Sequence, residues 1–141
     1  MRAIHRVIIS IAAVVVAALC LQRGRADVSA NPTSPDNVAK AHQLVDAAIK
    51  MTDSNQAVKL LWQATDIDPG SQEAYTYLGL YYNSKSDWTD LVRVYQKLIQ
   101  NQPNQPVAYL NVGEAYMSFS PPRTQDALVY FKKAYELDPK S

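Results

Sequence analysis

Three prolines divide most of this 141-residue chain into units of nearly equal length, and their spacing constrains the fold more than any other feature. Pro69, Pro103 and Pro139 lie 34 and 36 residues apart, and each closes a segment whose apolar residues recur every three or four positions. That period is typical of a helix with one buried face. Because proline lacks a backbone donor and clashes with the preceding turn, each of the three predicts a helix end. We therefore expect an all-α array of similar units.

Each unit repeats a short set of apolar positions ahead of its proline. The second unit contains Tyr75-x2-Leu78-Gly79-x2-Tyr82 and then Leu91-x3-Tyr95. The third contains Tyr109-x2-Val112-Gly113-x2-Tyr116 and then Ala127-x3-Phe131. The first is more degenerate, with Ala41-x2-Leu44-Val45-x2-Ala48 and then Ala57-x3-Leu61. A glycine inside a helix lowers its stability by about 1 kcal/mol, so the repeated glycine predicts close packing of a neighbouring helix.

This pattern resembles the tetratricopeptide repeat, in which an aromatic residue, Leu-Gly and Tyr are followed by Ala, Phe and Pro. The resemblance covers residues 38–141 and implies three tandem helix-turn-helix repeats that form a short right-handed superhelix. The repeats are expected over 38–71, 72–105 and 106–141. Their helices are predicted near 36–51, 54–67, 72–85, 88–101, 106–119 and 123–137. The predicted N-terminal caps are Ser34, Asp53, Ser71, Asp87 and Asn104, the last ahead of Pro106.

The first 30 residues predict an export leader that is separate from the repeats. A short basic segment precedes an apolar run over residues 7–21, which is the arrangement of a secretory signal peptide. Small residues favour cleavage after Ala30 or Ala26, and a retained membrane anchor is the alternative. Residues 31–37 are polar and contain two prolines, so they predict a linker. We expect a chain that is periplasmic, or anchored in the inner membrane and facing the periplasm.

Composition excludes several classes of chemistry. Residues 31–141 carry 10 basic and 12 acidic side chains, so they lack the strongly basic footprint of a nucleic-acid-binding domain. The one cysteine, Cys20, lies in the leader, and His42 is the only histidine that follows the leader. The rest of the chain therefore cannot form a site from several Cys or His ligands. We expect no catalytic residue, no metal and no cofactor. An enzyme could use only carboxylates, and nothing in the sequence pairs them for acid–base work.

The resemblance also implies a protein-binding groove lined by the first helix of each repeat. Chaperone-binding members of the family clamp a terminal carboxylate there with Lys, Asn and Arg. The clamp is missing in this chain, where the comparable positions hold His42, Asp46, Tyr77, Val107 and Asn111. Apolar residues among carboxylates suit an amphipathic segment with some basic residues instead. His42 and Asp46 lie four residues apart on one helix and could form a pair. The groove positions are His42, Asp46 and Lys50, then Glu73, Thr76, Leu80 and Asn83, then Val107, Leu110, Glu114 and Met117.

A second candidate surface lies at the C-terminal end. Tetratricopeptide arrays usually end in an additional helix with a polar outer face. The sequence has no residues for such a helix after Pro139, so apolar side chains of the last unit are expected to dock on another subunit. Trp62 or Trp88 could mark a further docking patch, because aromatic residues are enriched at interface cores. The C-terminal docking face is predicted at Leu128, Tyr135 and Leu137, with Val112 and Tyr116 as further candidates.

Together these features predict a non-catalytic protein–protein interaction module, acting as a scaffold or accessory subunit of a cell-envelope or membrane complex. The first alternative is a periplasmic assembly factor that transiently holds an exported client, similar to tetratricopeptide proteins of cytochrome and outer-membrane biogenesis. The second alternative is an enzyme. The expected partners are proteins, without nucleic acid. Contact with the membrane is expected only through the N-terminal segment, if that segment is not cleaved.

Overall fold

The computed structural model describes residues 34–140, which are all-helical and contain no β-strand. The leader, with its predicted cleavage sites or anchor, lies outside the described residues, as do 31–33 and 141. Within 34–140, none of the helices has the length and apolar character needed to cross a membrane. The helices are α1 (Pro35–Ile49), α2 (Ser54–Ile67), α3 (Gln72–Ser84), α4 (Trp88–Asn101), α5 (Pro106–Met117) and α6 (Thr124–Leu137).

The helices begin and end within two residues of the positions that the sequence predicts. The bounds of α2 and α4 match the prediction, whereas α1 and α5 each end two residues early. At the end of α5 the backbone N–H of Ser118 donates to the carbonyl of Glu114 at 3.0 Å, and the Ser118 hydroxyl donates to the same carbonyl at 2.9 Å. The hydroxyl therefore adds a second bond to a carbonyl that already accepts its helical N–H.

The N-terminal caps follow the sequence with two exceptions. Ser71 occupies the cap of α3, but its side chain makes no capping hydrogen bond. The predicted cap Asn104 is wrong, because Gln105 occupies that position at the start of α5. Pro106 is the first helical residue there, and its fixed φ sets the cap one residue before it. The remaining predicted caps accept backbone N–H groups through their side chains: Ser34, Asp53 and Asp87.

Each helix packs against the next one along the chain, and α1 also contacts α3. Burying one stripe of each helix removes apolar surface from water, at about 25 cal/mol per Å². The buried cluster is continuous through the first five helices and comprises Ala41, Val45, Ala48, Leu61, Ala64, Ala74, Tyr75, Leu78, Tyr82, Leu91, Val92, Val94, Leu98, Ala108, Val112 and Ala115.

Two helical glycines allow aromatic rings to approach the backbone closely. A Cβ atom placed on Gly79 would lie 3.0 Å from Cζ of Tyr95 and closer still to its hydroxyl oxygen. On Gly113 it would lie 2.6 Å from Cδ1 and 2.9 Å from Cζ of Phe131. Tyr95 and Phe131 belong to α4 and α6, so each glycine brings its helix close to the following one. The close packing predicted at these glycines is present.

Candidate functional site

The predicted groove positions lie on α1, α3 and α5 or, for Lys50, directly after α1. We call the surface that these residues form the binding face. Glu73 and Leu110 are half-buried, and the other nine predicted positions are exposed. Leu80 and Val107 are 60% and 61% exposed, which is high for large aliphatic side chains. Such residues lose unfavourable contact with water when a partner covers them. The binding face therefore combines exposed apolar side chains with polar and acidic ones.

On the first part of the binding face, His42 pairs with Glu73 rather than with Asp46. Nδ1 of His42 lies 3.2 Å from Oε2 of Glu73, across the contact between α1 and α3. The predicted pair of His42 with Asp46 is therefore wrong. Because α1 packs beside α3, the imidazole meets a carboxylate on the neighbouring helix. The sequence of α1 alone cannot predict that contact.

A cavity of about 200 Å³ lies between α3 and α5, and α4 forms its floor. Three predicted groove residues line it, namely Leu80, Asn83 and Glu114. The helix α4 packs against both α3 and α5, so it fixes the distance between the two walls. The remaining lining residues are Gly79, Trp88, Leu91, Tyr95, Asn111, Ala115 and Ser118.

The polar groups of the cavity include several hydrogen-bond acceptors. One N–H of the Asn111 amide donates to the carbonyl of Val107 at 2.8 Å, which leaves its second N–H to donate and its Oδ1 to accept. The hydroxyl of Ser118 donates to the backbone of its own helix, so it can only accept further bonds. Glu114 contributes a carboxylate, which accepts at both oxygens when ionised. The cavity thus offers acceptors on Asn111, Ser118 and Glu114 to a group that donates hydrogen bonds, and the amide of Asn83 also lines it.

Tyr95 supplies a hydroxyl to the same cavity. Burial raises the pKa of this hydroxyl above its ordinary value, and the negative charge of Glu114 raises the pKa further. The group is therefore protonated at neutral pH, and it can both donate and accept. Within residues 34–140 this hydroxyl makes no hydrogen bond to another side chain.

Sequence patterns assign Tyr95 to the core and do not predict it at this site, whereas Asn111 is one of the positions compared with the carboxylate clamp. A comparison of the three units could have identified Tyr95. Phe131 and Leu61 occupy the corresponding position in the third and first units, and only Tyr95 carries a polar atom there. A buried hydroxyl needs a polar environment. Here that environment is the cavity beside Gly79.

The two tryptophans differ in their surroundings. Trp62 is half-buried, its Nε1 donates to the Tyr82 hydroxyl at 3.1 Å, and the guanidinium of Arg93 lies 4.6 Å from its ring centroid. The Trp62 ring is therefore in contact with other residues of its own chain. Trp88 is also half-buried, but it lines the cavity between α3 and α5. Of the two, Trp88 is placed to touch a ligand of that cavity.

At the C-terminal end, the structure exposes part of the predicted docking face. Leu128 and Tyr135 are 60% and 65% exposed, whereas Leu137 is half-buried. Of the further candidates, Val112 is buried in the core and Tyr116 is half-buried against Phe119 and Tyr130. The pattern did not single out Val129, which is exposed at the edge of a second cavity of about 630 Å³ between α5 and α6.

Among residues 34–140, no group of three or more His, Cys, Asp or Glu side chains is placed to hold a metal ion. Comparison with known proteins gives no family: no family model matches the chain, and no curated protein matches it.

Proposed function

We propose that residues 38–141 are three tetratricopeptide repeats, 38–71, 72–105 and 106–141, stacked as a short right-handed superhelix. The order of six helices, packed each on the next, supports this proposal. It is also supported by the equivalent contacts of Gly79 with Tyr95 and of Gly113 with Phe131. In this arrangement the binding face becomes the inner surface of the superhelix, which such proteins use for recognition.

We infer that the chain is a non-catalytic interaction module, acting as a scaffold or accessory subunit of a cell-envelope or membrane complex. The observation that carries this proposal is the exposure of Leu80 and Val107 among polar groups on the binding face. Large apolar residues on a polar surface mark protein contact sites when they cluster. The partner we propose is an amphipathic protein segment that packs its apolar side on these residues.

The leader supports a location outside the cytoplasm, because its basic segment and apolar run are typical of export. We propose that residues 31–141 face the periplasm, either free after cleavage or held by the uncleaved segment. The mass of the purified protein distinguishes these forms, since cleavage after Ala26 or Ala30 removes a defined number of residues.

The test is purification of the tagged full chain from its native membranes in a mild detergent, followed by intact mass spectrometry. Leu80→Lys places a charge on the binding face, and Gln63→Lys places the same side chain on the exposed surface of α2 as a matched control. We expect the wild-type chain and Gln63→Lys to retain a partner at fixed stoichiometry. Leu80→Lys should retain much less of the partner, because the partner would bury the new charge away from water.

The other outcomes select among the alternatives. A client retained in trace amounts, and released when it folds, would favour the periplasmic assembly factor. Equal retention by Leu80→Lys and the wild-type chain would contradict the binding face as the contact surface. A hydrolytic activity that Glu114→Gln abolishes would favour an enzyme.

A further inference from the structure

The Glu114 carboxylate at the cavity between α3 and α5 has no cation of its own. Within residues 34–140 the ion pairs join other side chains, and none involves Glu114. Of the other polar groups that line the cavity, the Ser118 hydroxyl has used its donor on a backbone carbonyl, and Asn111 has used one of its two N–H groups. The amide of Asn83 and the hydroxyl of Tyr95 also line the cavity and can donate as well as accept. A ligand of this cavity would therefore meet one negative charge, with acceptors on Asn111 and Ser118 beside it.

The walls of the cavity add no positive charge. The helix α3 carries a single charged residue, Glu73, and α5 carries only Glu114. Lys85 follows α3 directly, and its ammonium lies 5.8 Å from the ring centroid of Tyr81. The basic residues of the neighbouring α4 also have contacts elsewhere, since Arg93 pairs with Asp90 and Lys97 pairs with Asp66. The local charge is complementary to a basic ligand.

The size of the cavity indicates how large that ligand is. Sites for drug-sized molecules occupy about 300–1,000 Å³, and this cavity has about 200 Å³. It has room for one long side chain. Its lining also includes Leu80, Leu91 and Trp88, which can cover a methylene stem while Glu114 meets the charged end.

We propose that this cavity receives a lysine or arginine side chain from a partner protein segment, with Glu114 as the counter-charge. The ammonium or guanidinium donates to Glu114 and to the acceptors of Asn111 and Ser118. The apolar side of the segment packs on Leu80 and on Met117, which lies one turn from Glu114 along α5. This inference rests on the proposed function and specifies the chemistry of the partner.

The test uses the full chain in mild detergent, labelled with nitrogen-15, and follows its amide signals by NMR. The probes are Nα-acetyl-lysine N-methylamide, the arginine equivalent, and the norleucine equivalent, which keeps the stem and removes the charge. We expect the two basic probes to give saturable shifts centred on Gly79, Glu114 and Ser118, with a Kd in the millimolar range. The norleucine probe should bind more weakly, by up to about fivefold, as expected for one partly exposed ion pair.

Two variants separate the charge from the fold. Glu114→Gln should weaken binding of the basic probes by about fivefold, with an otherwise unchanged spectrum because the side chain is exposed. Glu136→Gln makes the same replacement on α6, away from the cavity, and should leave the Kd as it is. Raising the salt concentration should weaken binding to the wild-type chain, since salt screens exposed charges.

Three results would overturn the inference: equal binding of the norleucine probe, full binding by Glu114→Gln, or no saturable shift at about 50 mM of either basic probe, well above a millimolar Kd. The proposed function is tested separately. If a native partner still depends on Leu80 while the basic probes fail, only the assignment of the cavity is wrong. If the basic probes bind but Leu80→Lys retains the native partner as the wild-type chain does, the proposed function is wrong. The assignment of the cavity to a basic side chain then still holds.

Discussion

Gly79 and Gly113 hold corresponding places in α3 and α5, but their neighbours differ in how far they can move. The space beside Gly113 is taken by the edge of the Phe131 ring, with Cδ1 2.6 Å from a Cβ atom built on the glycine. Beside Gly79 the nearest atom is the terminal hydroxyl oxygen of Tyr95. A ring edge is fixed by its whole side chain, whereas a terminal atom can shift with a small rotation.

We therefore expect Gly113→Ala to destabilise the fold more than Gly79→Ala. Alanine gains about 1 kcal/mol of helix propensity, and overpacking costs about 1–3 kcal/mol. The net loss is therefore about 0–2 kcal/mol, and Gly113→Ala should lie near the upper end of that range. Urea unfolding of both variants measures the difference. Tyr95→Phe combined with Gly79→Ala should recover most of the smaller loss. A Gly113→Ala chain as stable as the wild type would contradict the packing described for Phe131.

Three tyrosines should make the fold sensitive to alkaline pH. Burial is the main cause that raises the pKa of Tyr75, Tyr95 and Tyr116 in the folded chain. The folded state therefore keeps these protons when the unfolded state has released them. Because stability falls with pH wherever the folded state binds more protons, the free energy of unfolding should decrease as pH rises through about 10. Below the unfolded pKa this contribution is fully present.

The effect is measured by urea unfolding at a series of alkaline pH values. Tyr95→Phe removes one of the three groups and should give a shallower decrease than the wild-type chain. Return of the protein to neutral pH should restore the original unfolding curve, which controls for chemical damage. Identical slopes for the two chains would mean that ionisation of Tyr95 is not coupled to folding.

At the scale of one helix, Asp53 stabilises the start of α2 through two hydrogen bonds. Its Oδ1 accepts from the backbone N–H of Asn55 at 2.9 Å and of Gln56 at 3.2 Å. We expect Asp53→Ala to lower the free energy of unfolding by about 1 kcal/mol, and Asp53→Asn to lower it little, because asparagine caps as well as aspartate does. The equivalent residue of α3, Ser71, makes no capping bond and gives the matched control. Ser71→Ala should change urea unfolding far less, and equal losses in the two alanine variants would contradict this role of Asp53.

The elements show which parts of the structure a sequence can predict. The bounds of α2 and α4 were predicted correctly because both begin after an aspartate cap and end shortly before a proline. The ends of α1 and α5 have no such stop, and local turn bonds decide them. The positions of the binding face are those that the resemblance to the tetratricopeptide repeat implies, and nine of the eleven are exposed. The pair of His42 with Glu73 and the cavity beside Tyr95 depend on contacts between helices, which a pattern along one helix does not contain.

Across residues 34–140, most of the large exposed apolar side chains fall into two groups on different helices, and Ile49 and Met51, at and just after the end of α1, belong to neither. One group belongs to the binding face and includes Leu80 and Val107. The other lies on α6, where Leu128 and Tyr135 are seven residues apart and so share one side of the helix. A chain with two apolar surfaces can contact two different proteins at once, which is what a scaffold requires.

We predict that the α6 surface joins two copies of the chain. Sedimentation velocity of the full chain in a mild detergent should then show association that increases with protein concentration. Leu128→Lys should weaken this association by about tenfold or more, since a charge in an apolar contact is left without a partner. Leu80→Lys is a matched control, because both leucines are 60% exposed and the introduced side chain is the same. It should leave the association unchanged while it reduces retention of the native partner. A wild-type chain that sediments as a monomer at every concentration would rule out this contact, and an equal effect of the two variants would mean that the two surfaces do not act separately.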